Sequence, residues 1–253
     1  GLVFLSFGEA EKRSGSYYIN DLDGNYANMS RVKAAVEKFI EGYNENPKHT
    51  NNIQLVVSIN NNPSGTAYQL SGTTAEYSAH GAAFKNMVLS ISLPSPSKVT
   101  AIYGGIDAEM NYNTPTLTRA WVDGYSTTGT WQRLYNFGDH AGRTDDFSGL
   151  TDPTFDNGWK ASDIYYISWG NSCSWCVPQI YSSGNANQWA YQKKWSYLTY
   201  QGLLSTNGWG YGLISNQSSY NYFYNKLQDE GVGQTLYNKS WISLPYPAQP
   251  NEY

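Results

Sequence analysis

The sequence predicts an α/β protein: an irregular (β/α)8 TIM barrel forming a single domain over residues 1–253. Three observations lead there. Apolar, strand-like runs alternate along the chain with amphipathic helical stretches. Eight such runs can be placed, and most are separated by a helical pattern. The 253 residues fit one barrel, and no internal repeat or flexible linker divides them. A doubly wound open sheet is the competing arrangement of the same elements.

Leu2 to Phe7 reads as the first strand, ending in Gly8-Glu9. The first long helix spans about Ser30 to Tyr43, where Val32, Val36, Phe39, Ile40 and Tyr43 recur at helical spacing. Ile53 to Ile59 is nearly continuously apolar, as a strand buried on both faces is. Thr73 opens the second helix, with Glu76 placed for a capping box. Val99 to Ile106 is the third strand, and Thr114-Pro115 supplies a cap and an N1 proline to the helix after it. Trp131 to Phe137, Ile164 to Trp169 and Val177 to Tyr181 read as strands four to six. Helices are expected over about Asn187 to Gly202 and Tyr220 to Gln228, and the last two strands at Tyr211 to Ile214 and Trp241 to Leu244. The pattern places no helix between the fifth and sixth strands.

Composition narrows the class. Only 14% of residues are charged, against about a quarter in average proteins, while aromatic residues reach 16%, with 23 Tyr and 9 Trp. The surface must be polar through Asn, Ser, Thr, Gly and Tyr, as in secreted proteins that handle sugars. The chain opens directly in an apolar run, as it would if a targeting segment had been removed. Net charge is −4 with no Lys/Arg cluster, so nucleic acid is not an expected partner. No apolar run approaches the ~20 residues of a membrane span. A monomer is expected.

In a barrel, chemistry gathers at the carboxyl ends of the strands. Those ends supply Glu9; Asn60, Asn61 and Asn62; Asp107 and Glu109; Asp139 and His140; Ser168 and Trp169; Tyr181; and Ser215 and Asn216, with Tyr112 a further aromatic candidate. Carboxylates, amides and aromatics are the groups that hold sugar hydroxyls and pyranose faces. The sharpest element is Gly104-Gly-Ile-Asp-Ala-Glu109. Strand alternation points Asp107 and Glu109 the same way. Two neighbouring carboxylates repel and raise one pKa, which makes one a general acid while the other stays ionised. Asp139 is the candidate for a further acidic role. Trp169, Tyr181, Asn60, Tyr112, His140 and Glu9 are the candidate substrate-binding residues.

Asp-x-Glu at a barrel strand end resembles the lysozyme-like and chitinase-like glycoside hydrolases, in which the Glu is the usual general acid. Several stretches are similar to a group of secreted bacterial barrel proteins of unassigned activity: Phe4-Leu-Ser-Phe-Gly-Glu9, Gly105-Ile-Asp-Ala-Glu109, Thr118-Arg-Ala-Trp-Val-Asp-Gly-Tyr125, Tyr166-Ile-Ser-Trp-Gly170, and Pro178-Gln-Ile-Tyr-Ser182 with Asn185 and Gln188-Trp189. The similarity runs to about residue 205 and implies a glycoside-hydrolase-like barrel.

The remaining motifs are weaker. Cys173 and Cys176 lack further ligands for a zinc site, and a local disulfide is expected; free thiols and a redox pair are the alternatives. Asp21-Leu-Asp-Gly24 reads as a turn rather than a calcium loop. With Gly24 as the loop glycine, Ile19 falls at the first ligand position. No phosphate loop, dinucleotide fingerprint or serine-hydrolase elbow is present, so neither cofactor nor metal is expected. The expected function is hydrolysis of a polysaccharide or cell-wall glycan. A non-catalytic barrel that kept the pocket and binds glycan is the alternative.

Overall fold

The computed structural model describes residues 1–20, 25–63, 65–127, 129–140, 142–205 and 215–236. The fold is mixed α/β. Seven strands form one sheet: β1 (Leu2–Arg13), β2 (Ser16–Asn20), β3 (Tyr26–Asn28), β4 (Ile53–Asn60), β5 (Val99–Asp107), β6 (Leu134–Asn136) and β7 (Ser174–Cys176). Their order is β3-β2-β1-β4-β5-β6-β7. The pairs from β1 through β4, β5, β6 and β7 are parallel, whereas β1–β2 and β2–β3 are antiparallel. Residues 200–204 continue the parallel order beside β7, through bridges from Cys176 to Tyr200 and from Gln179 to Leu204.

Helices make the crossovers: α1 (Met29–Glu45), α2 (Thr74–Ser90), α3 (Pro115–Thr127), α4 (Ala161–Tyr165), α5 (Ser183–Ser196) and α6 (Asn216–Asp229). Caps set their starts. Asn28, Thr73 and Ser182 accept the backbone N–H of Arg31, Glu76 and Asn185 respectively. The capping box expected of Thr73 and Glu76 is half made, because the Glu76 carboxylate turns instead to Lys12 (2.7 Å) and the Ser71 N–H.

Alternation along the strands divides their side chains between two cores. Leu55, Val57 and Ile59 of β4 pack with Val36, Ile40, Phe84 and Val88 of the helices. Phe4, Val56, Tyr135, Phe137, Val177 and Leu204 form a smaller core on the other face, with Tyr103 and Trp175 against it. Phe4 and Phe137 meet with ring centroids 4.8 Å apart. β1 and β6 are three strand positions apart, roughly 14 Å along a flat sheet, so the sheet is strongly curled. Phe137 is fully buried, and burial of such a side chain stabilises by about 1.5–3 kcal/mol.

Several sequence expectations need correction. Ile164 to Trp169 is not a strand but α4 followed by a π-helical turn, Tyr166–Gly170. Ile164 and Ile167, the apolar residues it buries, are three apart, which suits a helix as well as a short apolar run. Asp163 also accepts the Lys160 N–H (3.1 Å) and fixes the helix start. A helix therefore does lie between the neighbouring strands. The strand expected at Val177 to Tyr181 is not formed: β7 covers Ser174–Cys176, just ahead of it, and only an isolated bridge at Gln179 falls in the expected range. The first strand runs on to Arg13 to form a hairpin with β2. The strands expected at Tyr211 to Ile214 and Trp241 to Leu244, and the Asp21-Leu-Asp-Gly24 turn, lie outside the described residues. Among those described, no helix is long and apolar enough to cross a membrane.

The expected Cys173–Cys176 disulfide is absent: both thiols are free and buried. Three residues of extended chain separate Cα atoms by about 10 Å, beyond the ~7 Å a disulfide spans. Cys173 Sγ instead bonds Asn171 Oδ1 at 3.2 Å. Burial pushes its thiol up to about 11 and raises Cys176 as well.

Candidate active site at the carboxyl ends of the strands

Register lines up one row of side chains where the parallel strands end. Glu9 of β1 pairs with Asn60 of β4, and Asn60 with Asp107 of β5. Residues paired in this way project from the same face. β5 stops at Asp107, so Glu109 lies just past the strand. Its backbone is held by the buried amide of Asn61, which accepts the Glu109 N–H (2.9 Å) and donates to the Glu109 carbonyl (3.1 Å). Asn113 in turn donates to the Asn61 carbonyl (3.0 Å) and to the Tyr77 hydroxyl (2.9 Å).

β6 delivers Asp139 to the same place. A Cβ on Gly138 would sit 2.0 Å from the Ala108 carbonyl oxygen, so only glycine lets the chain pass so close to the segment bearing Glu109. Asn185, in the first turn of α5, donates to Asp139 Oδ1 at 2.7 Å. The stretch after β7 supplies Gln179, which is buried and donates to Asp107 Oδ1 at 2.7 Å. The Tyr181 hydroxyl donates to Gln179 Oε1, which turns the amide so that its NH₂ faces Asp107. The Tyr112 hydroxyl is hydrogen-bonded to the Glu109 carboxyl.

The carboxyls feel one another. Burial, then the charges of Glu109 and Asp139, hold Asp107 well above the usual carboxylate range. Burial, then Asp139, pushes Glu109 up to about 7, while the bond from Tyr112 pulls the other way. Glu9 is raised chiefly by burial, against the hydrogen bond from Asn62 Nδ2 (2.6 Å). Burial and then the neighbouring acids raise Tyr112 and Tyr181, so both hydroxyls keep their protons. Among the described residues no ion pair neutralises Asp107 or Glu109: Arg119 pairs with Asp163 at 2.8 Å, and Arg143 with Asp145. Nor is there, among them, a group of three or more His, Cys, Asp or Glu side chains arranged to hold a metal ion.

No protein-family model, curated protein or solved structure matches this chain.

The structure thus brings Asp107, Glu109 and Asp139 together with Glu9, Asn60, Tyr112 and Tyr181. Tyr112 is 39% exposed and presents ring surface beside Glu109. Two residues expected at the site lie elsewhere. Trp169 sits on the π-helical turn ahead of β7, at the opposite end of the strand from the acids, and packs near Trp175 with centroids 6.4 Å apart. His140 follows Asp139 but points into the protein: it is fully buried among Phe147, Phe155 and Trp189, with Nε2 3.1 Å from Gln192 Oε1. Burial lowers its pKa to about 4, so it is a neutral core histidine.

Asn61 is among the strand-end amides that the sequence offers, whereas sequence reasoning missed Gln179 and Asn185 as site residues. Gln179 did leave a signal, a polar residue inside the apolar run Val177-Pro-Gln-Ile180. Asn185, like Gln179, stands in the stretch that resembles the secreted barrel proteins, but with no role attached to it there.

Proposed function

We propose that this chain is a glycoside hydrolase that cleaves a polysaccharide or cell-wall glycan by carboxylate acid/base chemistry. The observation that carries the reading is the cluster of Asp107, Glu109 and Asp139 at the strand ends, with no cation among the described residues paired to Asp107 or Glu109 and with Glu109 lifted to about 7. A carboxyl so lifted holds a proton near neutrality, as a general acid must. Glu109 gives that proton to the glycosidic oxygen as the C–O bond breaks. The positive charge then developing on the sugar ring is met by Asp139, whose charge both Asp107 and Glu109 feel, while Asp107 modulates Glu109. Glu109, now ionised, takes a proton from the water that completes hydrolysis. Gln179 and Asn185 fix the two flanking carboxylates, Tyr112 and Tyr181 offer hydroxyl donors, and the Tyr112 face offers stacking surface.

The finer architecture belongs to the same proposal: the sheet is the greater part of an irregular (β/α)8 barrel. Parallel strands that follow in sequential order, from β1 through β4 to β7 and residues 200–204, support a singly wound sheet over a doubly wound one, whose order reverses. The curl that joins Phe4 to Phe137, and the second core on that face, suit a barrel interior. The resemblance to lysozyme-like and chitinase-like hydrolases points the same way, and rests on its motifs.

The test is a panel of purified polysaccharides, peptidoglycan and chitin oligosaccharides, read by new reducing ends. Cleavage of one member is expected. Glu109→Gln, which keeps the shape and removes the proton, should lose roughly 10²–10⁴-fold in rate while binding persists. Full activity in that variant would sink the assignment of Glu109. Binding without cleavage by the wild-type protein would instead favour the non-catalytic glycan binder.

A further inference from the structure

We propose that the exposed face of the β1–β3 hairpin is a distal glycan subsite in line with the carboxylates at the strand ends, where Tyr26 and Tyr68 stack on sugar rings. The inference rests on the glycan-hydrolase reading and extends it to substrates several sugars long. The polar row at the strand ends does not stop at Glu9. Glu9 pairs with Asn20 of β2, and Asn20 with Tyr26 of β3. Asp107, Asn60, Glu9, Asn20 and Tyr26 thus follow one another across five adjacent strands. Four strand spacings put Tyr26 about 19 Å along the sheet from Asp107, room for more than one sugar between them.

The hairpin reaches beyond the rest of the sheet, because β1 continues to Arg13 after its partner β4 has ended. One of its faces is used by the core. Ala10 and Ile19 are buried there, Tyr17 packs on His80 of α2 (centroids 5.4 Å), and His80 Nε2 lies 3.1 Å from the Tyr18 carbonyl. The other face carries a rigid stack. The Arg13 guanidinium lies between the rings of Tyr26 (3.7 Å) and Tyr68 (3.9 Å). Arg13 Nε is tied to Glu11 at 2.8 Å, and fully buried Glu11 also accepts the Thr66 hydroxyl at 2.6 Å.

That anchoring fixes the inner faces of both tyrosines and leaves them 51% and 47% exposed. Arg13, and for Tyr26 also the Tyr18 ring at 6.0 Å, account for the inner side of each ring and leave the outer side to solvent. A pyranose suits that outer side: its C–H face covers an aromatic face, and its rim hydroxyls accept from the remaining guanidinium N–H groups. Placement on the same row as the acids aims a chain bound there toward them.

The test uses Glu109→Gln, which binds without cutting, on an array of chitin, peptidoglycan-derived, cello-, malto- and manno-oligosaccharides graded from disaccharide to octasaccharide. The expected result is tighter binding of the longer members of one series. In the same background Tyr26→Ala or Tyr68→Ala should each remove roughly fivefold to tenfold of that gain, with disaccharide binding unchanged. Tyr26→Phe, which keeps the ring, should retain it. A length-dependent gain that survives both alanine variants overturns the subsite and leaves the hydrolase reading standing. Binding to no member of the array overturns the glycan reading and the subsite with it.

Discussion

Glu109 owes its chemistry to what surrounds it, and each surrounding group can be tested by the pH at which activity is lost. A general acid works while protonated, so activity should fall as pH rises through about 7, where Glu109 ionises. Asp139 is one of the two causes that raise it, so Asp139→Asn should move that basic limb to lower pH, read from kcat/KM against pH on the substrate found by screening. An unmoved limb would mean that Asp139 does not act on Glu109. Glu9, Asn60, Asp107, Glu109 and Asp139 were legible in the sequence from their places after apolar runs. But β5 stops at Asp107, so strand alternation does not reach Glu109, and the Asn61 clamp holds it instead. The amides that hold the acids were not legible, because Gln179 and Asn185 lie about 70 and 46 residues along the chain from their partners and gain a role only when the strands pair. His140 misled for a related reason: adjacency to Asp139 says nothing of direction, and its ring turns into an aromatic cage. The thiols offer a second check. Cys173 and Cys176 are 1% and 0% exposed, so a thiol reagent should label neither in the folded protein and both after unfolding without reductant. Absence of free thiols after unfolding would restore the disulfide.

Between elements, the tightest junction joins α2 to α3 and depends on two glycines. A Cβ on Gly124 would fall 1.8 Å from the Ser78 carbonyl oxygen, and one on Gly81 2.1 Å from that of Trp121. Both obstacles are backbone, so the helices would have to separate. Around them Trp121 donates to His80 Nδ1 (3.0 Å) and the Tyr125 hydroxyl donates to the Arg133 carbonyl (3.0 Å). Gly124→Ala should therefore destabilise by about 2–3 kcal/mol, seen as a lower Tm and denaturation midpoint. A cost below ~0.5 kcal/mol would show that the junction yields. α3 also bears Thr118, which accepts from Asn61 at 3.2 Å, so a shifted α3 loosens the clamp on Glu109. α1 and α2 were readable because caps and 3.6-residue spacing are local signals. The helix expected over about Asn187 to Gly202 instead runs from Ser183 to Ser196, opened by the Ser182 cap and ended by Tyr197 in the left-handed region. Ile164 to Trp169 was not, since a short apolar run fits helix and strand equally and only Asp163 at the helix start tips it. The β1–β2 pairing escaped because its turn, Ser14-Gly15, sits inside a polar stretch where no apolar run marks a strand pair.

Across the whole molecule, the buried titratable groups set a stability optimum with two different flanks. The strand-end acids have folded pKa values raised above their ordinary ones: Glu109 from 4.5 to about 7, Asp107 well above 3.8, and Glu9 above 4.5. Between those limits the folded protein holds more protons than the unfolded chain. Their contribution is therefore complete below the ordinary pKa and is lost as pH rises through the folded one. Buried His80 and His140 act in the opposite sense. Each is lowered from 6.5 to about 4, so each contributes fully above 6.5 and loses its contribution as pH falls through 4. Glu76 and Asp146, both lowered to about 2, add to that acid-side loss as they are protonated. Between pH 4.5 and 6.5 the two sets oppose each other, and just above 6.5, before the buried thiols, tyrosines and lysines titrate, the strand-end acids dominate the change. The Tm should therefore pass over a broad maximum near pH 5–6.5 and fall on both sides. The near-neutral part of the alkaline flank then belongs to the candidate active site, so Asp107→Asn/Glu109→Gln should raise the Tm between about pH 7 and 8 and flatten the flank there. The acid flank should stay in place, because its histidines and ion-paired carboxylates lie elsewhere. An alkaline decline as steep in the double variant as in the wild-type protein would show that Asp107 and Glu109 are not the strained pair that both the stability argument and the proposed chemistry require.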